Sequence, residues 1–201
     1  SSNTTVAPAD PYYGVITGVA AGPVTISYTL PTTCYVTRTV TVKPLPALIT
    51  GASTVCTGFT TTLSDSTASG IWSSDNIFLA TADPHGGVIT GVNSGITNIS
   101  YTIGSGCYQT RTFTINPTPP SITGSPDVCT GRSITLTDGL SGGRWSSSAA
   151  TSVATVGSAS GIVTGVSAAV TMITYTLNTG CFATGSVTIY PFPKVINGIN
   201  Y

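Results

Sequence analysis

Three stretches of this 201-residue chain spell out one pattern: GVITGVAAGPVTISYTLPTTCYVTRTVTVKPLP from Gly14, GVITGVNSGITNISYTIGSGCYQTRTFTINPTP from Gly87 and GIVTGVSAAVTMITYTLNTGCFATGSVTIYPFP from Gly161. Tyr28, Tyr101 and Tyr175 fall 73 and 74 residues apart, as do Cys34, Cys107 and Cys181. Trp72 and Trp145 are 73 apart, and so are Cys56 and Cys129. A period this regular means one structural module per repeat, so whatever fold is chosen must fit about 73 residues.

The module reads as strands. Ile26–Leu30, Ile99–Ile103 and Ile173–Leu177 alternate apolar residues with Ser or Thr, the two-residue period of a half-buried strand. Each is followed by a short turn (PTT, GSG or NTG) and a second alternating run, which makes a hairpin. Upstream lie SITLT, GGRWSSS, SVATV and GIVTGV in the last copy. With the Pro-x-Pro segment this gives about seven short strands per unit and no significant helix. The expected fold is all-β, a tandem series of Ig-like β-sandwiches. Trp72 and Trp145, with Tyr28, Tyr101 and Tyr175, are the expected core aromatics.

Composition narrows the function. The chain has six Asp, no Glu, six Lys plus Arg, a single His and no net charge. That leaves no electrostatic footprint for nucleic acid and starves acid–base catalysis of its groups. No apolar run approaches the roughly 20 residues of a membrane helix. No enzyme, cofactor, metal site, nucleic-acid partner or membrane insertion is expected. Asp83-Pro-His85-Gly is the one place where an acid meets the His, and Asp-Pro followed by Gly is turn chemistry. Asp10, Asp65, Asp75, Asp83, Asp127 and Asp138 are scattered, without a calcium-loop pattern.

The repeat sets the expected boundaries: an N-terminal domain at 1–43 lacking its first strands, complete domains at 44–116 and 117–190, and a C-terminal strand at 191–201. Cys56 and Cys107 lie 51 residues apart, and Cys129 and Cys181 lie 52 apart. These spacings predict the disulfides Cys56–Cys107 and Cys129–Cys181 near one end of each sandwich, each stabilising by roughly 4 kcal/mol in the chain-entropy model. Cys34 is left as an unpaired or intersubunit thiol. The compartment is then oxidising and extracellular.

The residues also carry a resemblance. Trp145-Ser-Ser, Val153-Ala-Thr-Val156, Gly161-x-Val163-Thr-Gly165-Val166 and Ile173-Thr-Tyr175 are similar to the group 2 bacterial Ig-like domain of invasin- and intimin-type adhesins. The resemblance implies an extracellular sandwich used as a stalk or binding module on the bacterial surface. The cysteine pair and Pro-x-Pro linkers resemble tandem arrays of secreted Bacteroidota proteins.

The two ends are complementary in kind. PFPKVINGINY (191–201) matches the start of the other domains, PLPALITGASTVC from Pro44 and PTPPSITGSPDVC from Pro117. Ser1-Ser2-Asn3 matches the Ser-rich runs after Trp72 and Trp145. The expected function is therefore a structural subunit of an extracellular filament, its partners being copies of itself joined head to tail by strand complementation. Phe192, Val195, Ile196, Ile199 and Tyr201 form the expected polymerisation strand. The alternative is a stretch of a monomeric tandem-Ig adhesin stalk or carbohydrate-binding module, with Tyr12, Tyr13 and Phe78 as contact residues. Asn3 and Asn98 match the N-glycosylation pattern, and Ser66 lies in an acidic-hydroxyl motif, so covalent glycans are also expected.

Overall fold

The computed structural model of the chain describes residues 1–193. Val195, Ile196, Ile199 and Tyr201 of the expected polymerisation strand lie outside the described residues. The described chain is all-β apart from one turn of helix. Contacts divide it into two compact units, one of residues 1–54, 60–92 and 96–114, the other of residues 55–59, 93–95 and 115 onward.

The elements of the first two repeats run β1 (Gly22–Thr29), β2 (Tyr35–Val42), β3 (Thr50–Gly51), β4 (Thr54–Cys56), β5 (Thr60–Ser64), β6 (Ile71–Ser74), β7 (Ala80–Ala82), β8 (Val88–Gly91), β9 (Gly95–Thr102) and β10 (Tyr108–Asn116). The third repeat continues with β11 (Asp127–Cys129), β12 (Ser133–Thr135), β13 (Arg144–Ser147), helical turn α1 (Ala150–Val153), β14 (Ala154–Val156), β15 (Ile162–Gly165), β16 (Ala169–Thr176) and β17 (Phe182–Tyr190).

The third repeat shows how the sequence makes a sandwich. One sheet has the order β11-β17-β16-β13, the other β12-β15-β14. The β16–β17 hairpin is antiparallel throughout, from Ala169 opposite Ile189 to Thr176 opposite Phe182. Alternation sends Thr171, Ile173 and Tyr175 inward from β16, and Val187 and Ile189 inward from β17. They meet Leu136, Trp145, Ala154 and Val163 in one core. Buried Thr171 is satisfied by the hydroxyls of Ser147 at 3.0 Å and Ser148 at 3.3 Å. The second repeat has the equivalent first sheet, β4-β10-β9-β6, and a second sheet of four strands, β3-β5-β8-β7, with β3 added at the edge.

The centre of each complete sandwich is an aromatic pair. Trp72 packs on Tyr101, and Trp145 on Tyr175, each with ring centroids 4.7 Å apart. Each tyrosine hydroxyl is tied at both ends. Tyr175 donates to Leu140 O at 2.6 Å and accepts from Gly143 N at 2.8 Å. Tyr101 donates to Thr67 O at 2.5 Å and accepts from Gly70 N at 2.9 Å. Under the tryptophans lie Gly87 and Gly161, at φ +65° and +66°, where an added Cβ would stand 2.4 Å from the carbonyl oxygen of Leu63 or Leu136 and press on the indole at 3.1 and 3.0 Å. A left-handed backbone and a large ring together leave room for glycine alone.

The cysteine expectation is corrected. Cys56 is joined to Cys181, with Cα atoms 5.7 Å apart, and Cys34, Cys107 and Cys129 are free. The expected Cys129–Cys181 bond fails on strand geometry. β11 runs parallel to the end of β17, with Cys129 opposite Tyr190. Cys181 precedes the other end of that strand, at Phe182. Eight residue steps separate the two ends, about 26 Å at 3.3 Å per residue, far beyond the Cα separation a disulfide tolerates. Cys56–Cys107 fails in the same way, because Thr57 N bonds Asn116 O at the end of β10 while Cys107 precedes its start at Tyr108.

Two outcomes follow from this packing. Trp145→Ala should cost about 3–5 kcal/mol in urea unfolding, and Gly161→Ala should destabilise through both strain and the indole clash. Non-reducing peptide mapping should recover a Cys56–Cys181 peptide. Cys56→Ser should lower stability by about 2–5 kcal/mol, whereas Cys107→Ser should change it little.

Candidate functional site

The first repeat has the same local chemistry as the others but a different environment. Its hairpin, β1 with β2, is in full register from Gly22 opposite Val42 to Thr29 opposite Tyr35. Its turn repeats the others bond for bond. Leu30 N, Ile103 N and Leu177 N bond the carbonyls of Cys34, Cys107 and Cys181 at 2.8, 3.0 and 2.8 Å. The loop before it is also the same. Asp10 Oδ1 accepts from Tyr12 N and Tyr13 N at 2.8 and 2.7 Å, as Asp83 Oδ1 accepts from His85 N and Gly86 N at 3.0 and 2.5 Å. The Asp83–His85 pair is thus a turn. Ser2 N bonds Thr25 O as Asp75 N bonds Asn98 O, which sets the register of the chain start one residue later than the sequence match.

What differs is the cover. β1 and β2 form a sheet of two strands, whereas their counterparts are the middle pair of four-stranded sheets. Gly14 has the same left-handed backbone as Gly87 and Gly161, at φ +67°, yet no atom lies within 4 Å of where its Cβ would stand. At that place the complete repeats hold their tryptophan. The expectation that Tyr28 is a core residue is therefore corrected. Tyr28 is 69% exposed, while Tyr101 and Tyr175 are each 5% exposed, because nothing plays the part of Trp72 or Gly70 above its ring. Ile16 is 38% exposed where Ile89 and Val163 are fully buried. An open recess of about 530 Å³ runs from Asp10–Gly14 to Ile26–Thr29.

Beside this face lies a second, smaller apolar recess of about 130 Å³ lined by Tyr28, Leu30, Cys34, Tyr35 and Val36. The first repeat thus presents an apolar face and a free thiol together. Among the described residues, no three His, Cys, Asp or Glu side chains cluster to hold a metal ion. Among the described residues, no helix is long and apolar enough to cross a membrane. Tyr12, Tyr13 and Phe78 are strongly exposed on loops, and Phe192 is half exposed beside Arg132, whose guanidinium stands 5.3 Å from its ring centre.

The glycan candidates are on the surface. Asn3, Ser66 and Asn98 are exposed. Asn3 Oδ1 accepts from Thr5 Oγ1 at 2.7 Å, and Asn98 Nδ2 donates to Asp75 Oδ2 at 2.9 Å. The hydroxyl of Thr97, then the backbone N–H and side-chain amide of Asn98, hold the Asp75 carboxyl below its ordinary range. A depressed acid contributes stability above its unfolded value, and that contribution is lost as pH falls through its folded value.

No protein-family model matches the chain, and no curated protein sequence matches it. Several solved structures match at low identity. S-layer protein SbsC domains 4 and 5 share 17% identity over 73% of this chain and 99% of that one, with TM-score 0.34. A C-terminal fragment of intimin, crystallised with the intimin-binding domain of its translocated receptor, shares 13% over 72% of this chain and 64% of that one, with TM-score 0.45. Mouse cadherin-23 repeats EC22–24 share 14% over 85% and 74%, with TM-score 0.29. The chain spans 37% of a six-domain SbsC fragment.

Burial makes a direct contrast between equivalent residues. Tyr101→Ala and Tyr175→Ala should each cost about 3 kcal/mol or more, and Tyr28→Ala about 0.5 kcal/mol or less, by urea denaturation of the isolated chain. Between pH 5 and pH 2 the unfolding midpoint should fall less steeply in Asp75→Asn than in the parent protein.

Proposed function

We propose that the chain is a structural, non-enzymatic component of an extracellular bacterial surface fibre. Its Ig-like sandwiches follow one another head to tail, and the open first-repeat face is completed by strands of a neighbouring copy. The observation that carries this reading is the pair Gly14 and Tyr28. Both have the backbone setting of a finished Ig core, and both face solvent. A sandwich half with an exposed apolar face and unfilled sheet edges is a ready acceptor for strand addition. A heterologous join of this kind propagates, because each copy has one acceptor and one donor end.

The donor in this reading is the 191–201 segment, which aligns with Pro44–Thr54, the segment that leads through β3 to the first residue of β4. Phe192, Val195, Ile196, Ile199 and Tyr201 are its apolar residues. Covalent glycans at Asn3, Asn98 or Ser66 would offset the scarcity of surface charge, and an intact mass equal to the bare chain would remove them from this reading.

A specific observation favours a second reading, a stretch of a longer tandem-Ig stalk. The recess above Gly14 corresponds to a tryptophan site, and the 191–201 segment has no tryptophan. A strand set of the Pro44–Ser74 kind would fill it.

Electron microscopy separates the two. In the filament reading the purified chain forms fibres, and the chain lacking 191–201 does not. Fibres of unchanged yield from the truncated chain would overturn strand donation by the tail. In the stalk reading a synthetic Pro44–Ser74 peptide binds the chain saturably with a blue-shifted tryptophan emission, and tail truncation leaves that binding unchanged.

A further inference from the structure

The free cysteines have a structural template within the molecule. The bonded pair joins the cysteine that closes the early strand of the second repeat, Cys56, to the cysteine of the hairpin turn of the third, Cys181. Both lie in the second compact unit. In general terms, the early cysteine of one repeat is bonded to the hairpin cysteine of the repeat that follows. Cys129 is the early cysteine of the last complete repeat, and Cys34 is the hairpin cysteine of the first. We infer that Cys129 of one copy and Cys34 of the next form the same bond between molecules, so that head-to-tail assembly is covalent. This rests on the head-to-tail reading above.

Three observations support the match. The first is local geometry: Phe59 N bonds Cys56 O, and Arg132 N bonds Cys129 O, both at 3.0 Å, so the two early cysteines sit in the same turn. The second is the exit of the chain. After β10 the linker stays beside Cys56, with Thr118 Oγ1 bonded to Thr57 O at 2.6 Å. After β17 the linker stays beside Cys129, with Phe192 N bonded to Thr130 Oγ1 at 2.9 Å. The next repeat therefore sets out from Cys129 as the third sets out from Cys56. The third is the flanking pair. Phe59 faces Phe182 with ring centroids 6.2 Å apart next to the existing bond. The corresponding residues at the new joint are Arg132, whose guanidinium lies 5.3 Å from the Phe192 ring centre, and the exposed Tyr35 of the next copy.

Cys107 is also of the hairpin type, but it lies one repeat further along, so it does not meet Cys129 in a head-to-tail join. The exposed Cys34, at the rim of the small apolar recess, does. The chemistry balances with a small disulfide such as oxidised glutathione. One protein thiolate attacks it, forming a mixed disulfide and releasing one glutathione thiol. The second protein thiolate then displaces the other. The two protein thiols are oxidised by two electrons, and one glutathione disulfide becomes two thiols.

The test uses Cys34→Ser and Cys129→Ser in the full chain, with oxidised glutathione and non-reducing electrophoresis. The parent chain should give a ladder of covalent multimers. Each variant alone should stay at the single-chain mass. An equal mixture should give a species of twice that mass and no higher, with a Cys34–Cys129 peptide by mass spectrometry. Recovery of the Cys56–Cys181 peptide from each variant shows that its fold is kept. Dimers from either variant alone, or a mixture that stays monomeric while the parent forms fibres under the microscope, would overturn the bond and leave the fibre reading standing. Absence of both fibres and the ladder in the parent would overturn both. A covalent dimer from the mixture without fibres from the parent would support the bond and overturn tail-driven assembly.

Discussion

The packing of a tryptophan across a tyrosine, over a glycine with left-handed backbone, organises each complete repeat. The backbone below the indole needs the glycine, since a Cβ at Gly87 or Gly161 would stand 2.4 Å from the carbonyl oxygen of Leu63 or Leu136 and crowd the ring. The tyrosine needs Gly70 or Gly143, whose N–H its hydroxyl accepts and whose missing side chain leaves room for the ring. Around that stack, in the third repeat, the alternating residues of the hairpin and the short facing strands close an apolar core. Its free energy comes from apolar burial, since the six acids and six bases of the whole chain leave little for ion pairs to do. Among the described residues, nothing lies within 4 Å of where a Gly14 Cβ would stand, and Tyr28 is exposed.

The disulfide adds a second level of order. Within a repeat, the early and hairpin cysteines lie at opposite ends of the last strand and cannot meet. Between successive repeats they do, at Cys56 and Cys181. This bond links one repeat to the next, and the linker after β10 is held against the turn at Cys56, Thr118 Oγ1 donating to Thr57 O at 2.6 Å. In the chain-entropy model a loop of this size, with a sequence separation of 125, stabilises by about 5 kcal/mol.

Much of the fold was legible in the sequence because period-2 alternation and a strict 73-residue repeat report directly on strands and modules. The placement of Trp72, Trp145, Tyr101 and Tyr175 follows from that pattern. Two points were not legible. Equal cysteine spacings of 51 and 52 fit pairing within a repeat as well as pairing to the next, and only the parallel register of β11 on β17, which puts Cys129 opposite Tyr190, separates them. The signal available was the position of Cys181 immediately before a long last strand. Tyr28 matches Tyr101 and Tyr175 in sequence, but burial depends on a strand that lies elsewhere in the repeat. Identity at a position does not fix environment, because that environment is made by residues far from it in sequence.

If a neighbouring copy covers the open face of the first repeat, as proposed, the solvent accessibility of Tyr28 reports on it without reference to how the joint is chemically sealed. Tyrosine nitration followed by peptide mass spectrometry, on dispersed chain and on assembled material, measures it. Tyr28 should be modified readily in dispersed chain and strongly protected after assembly, while Tyr101 and Tyr175 remain protected in both. Equal nitration of Tyr28 before and after assembly would contradict the claim.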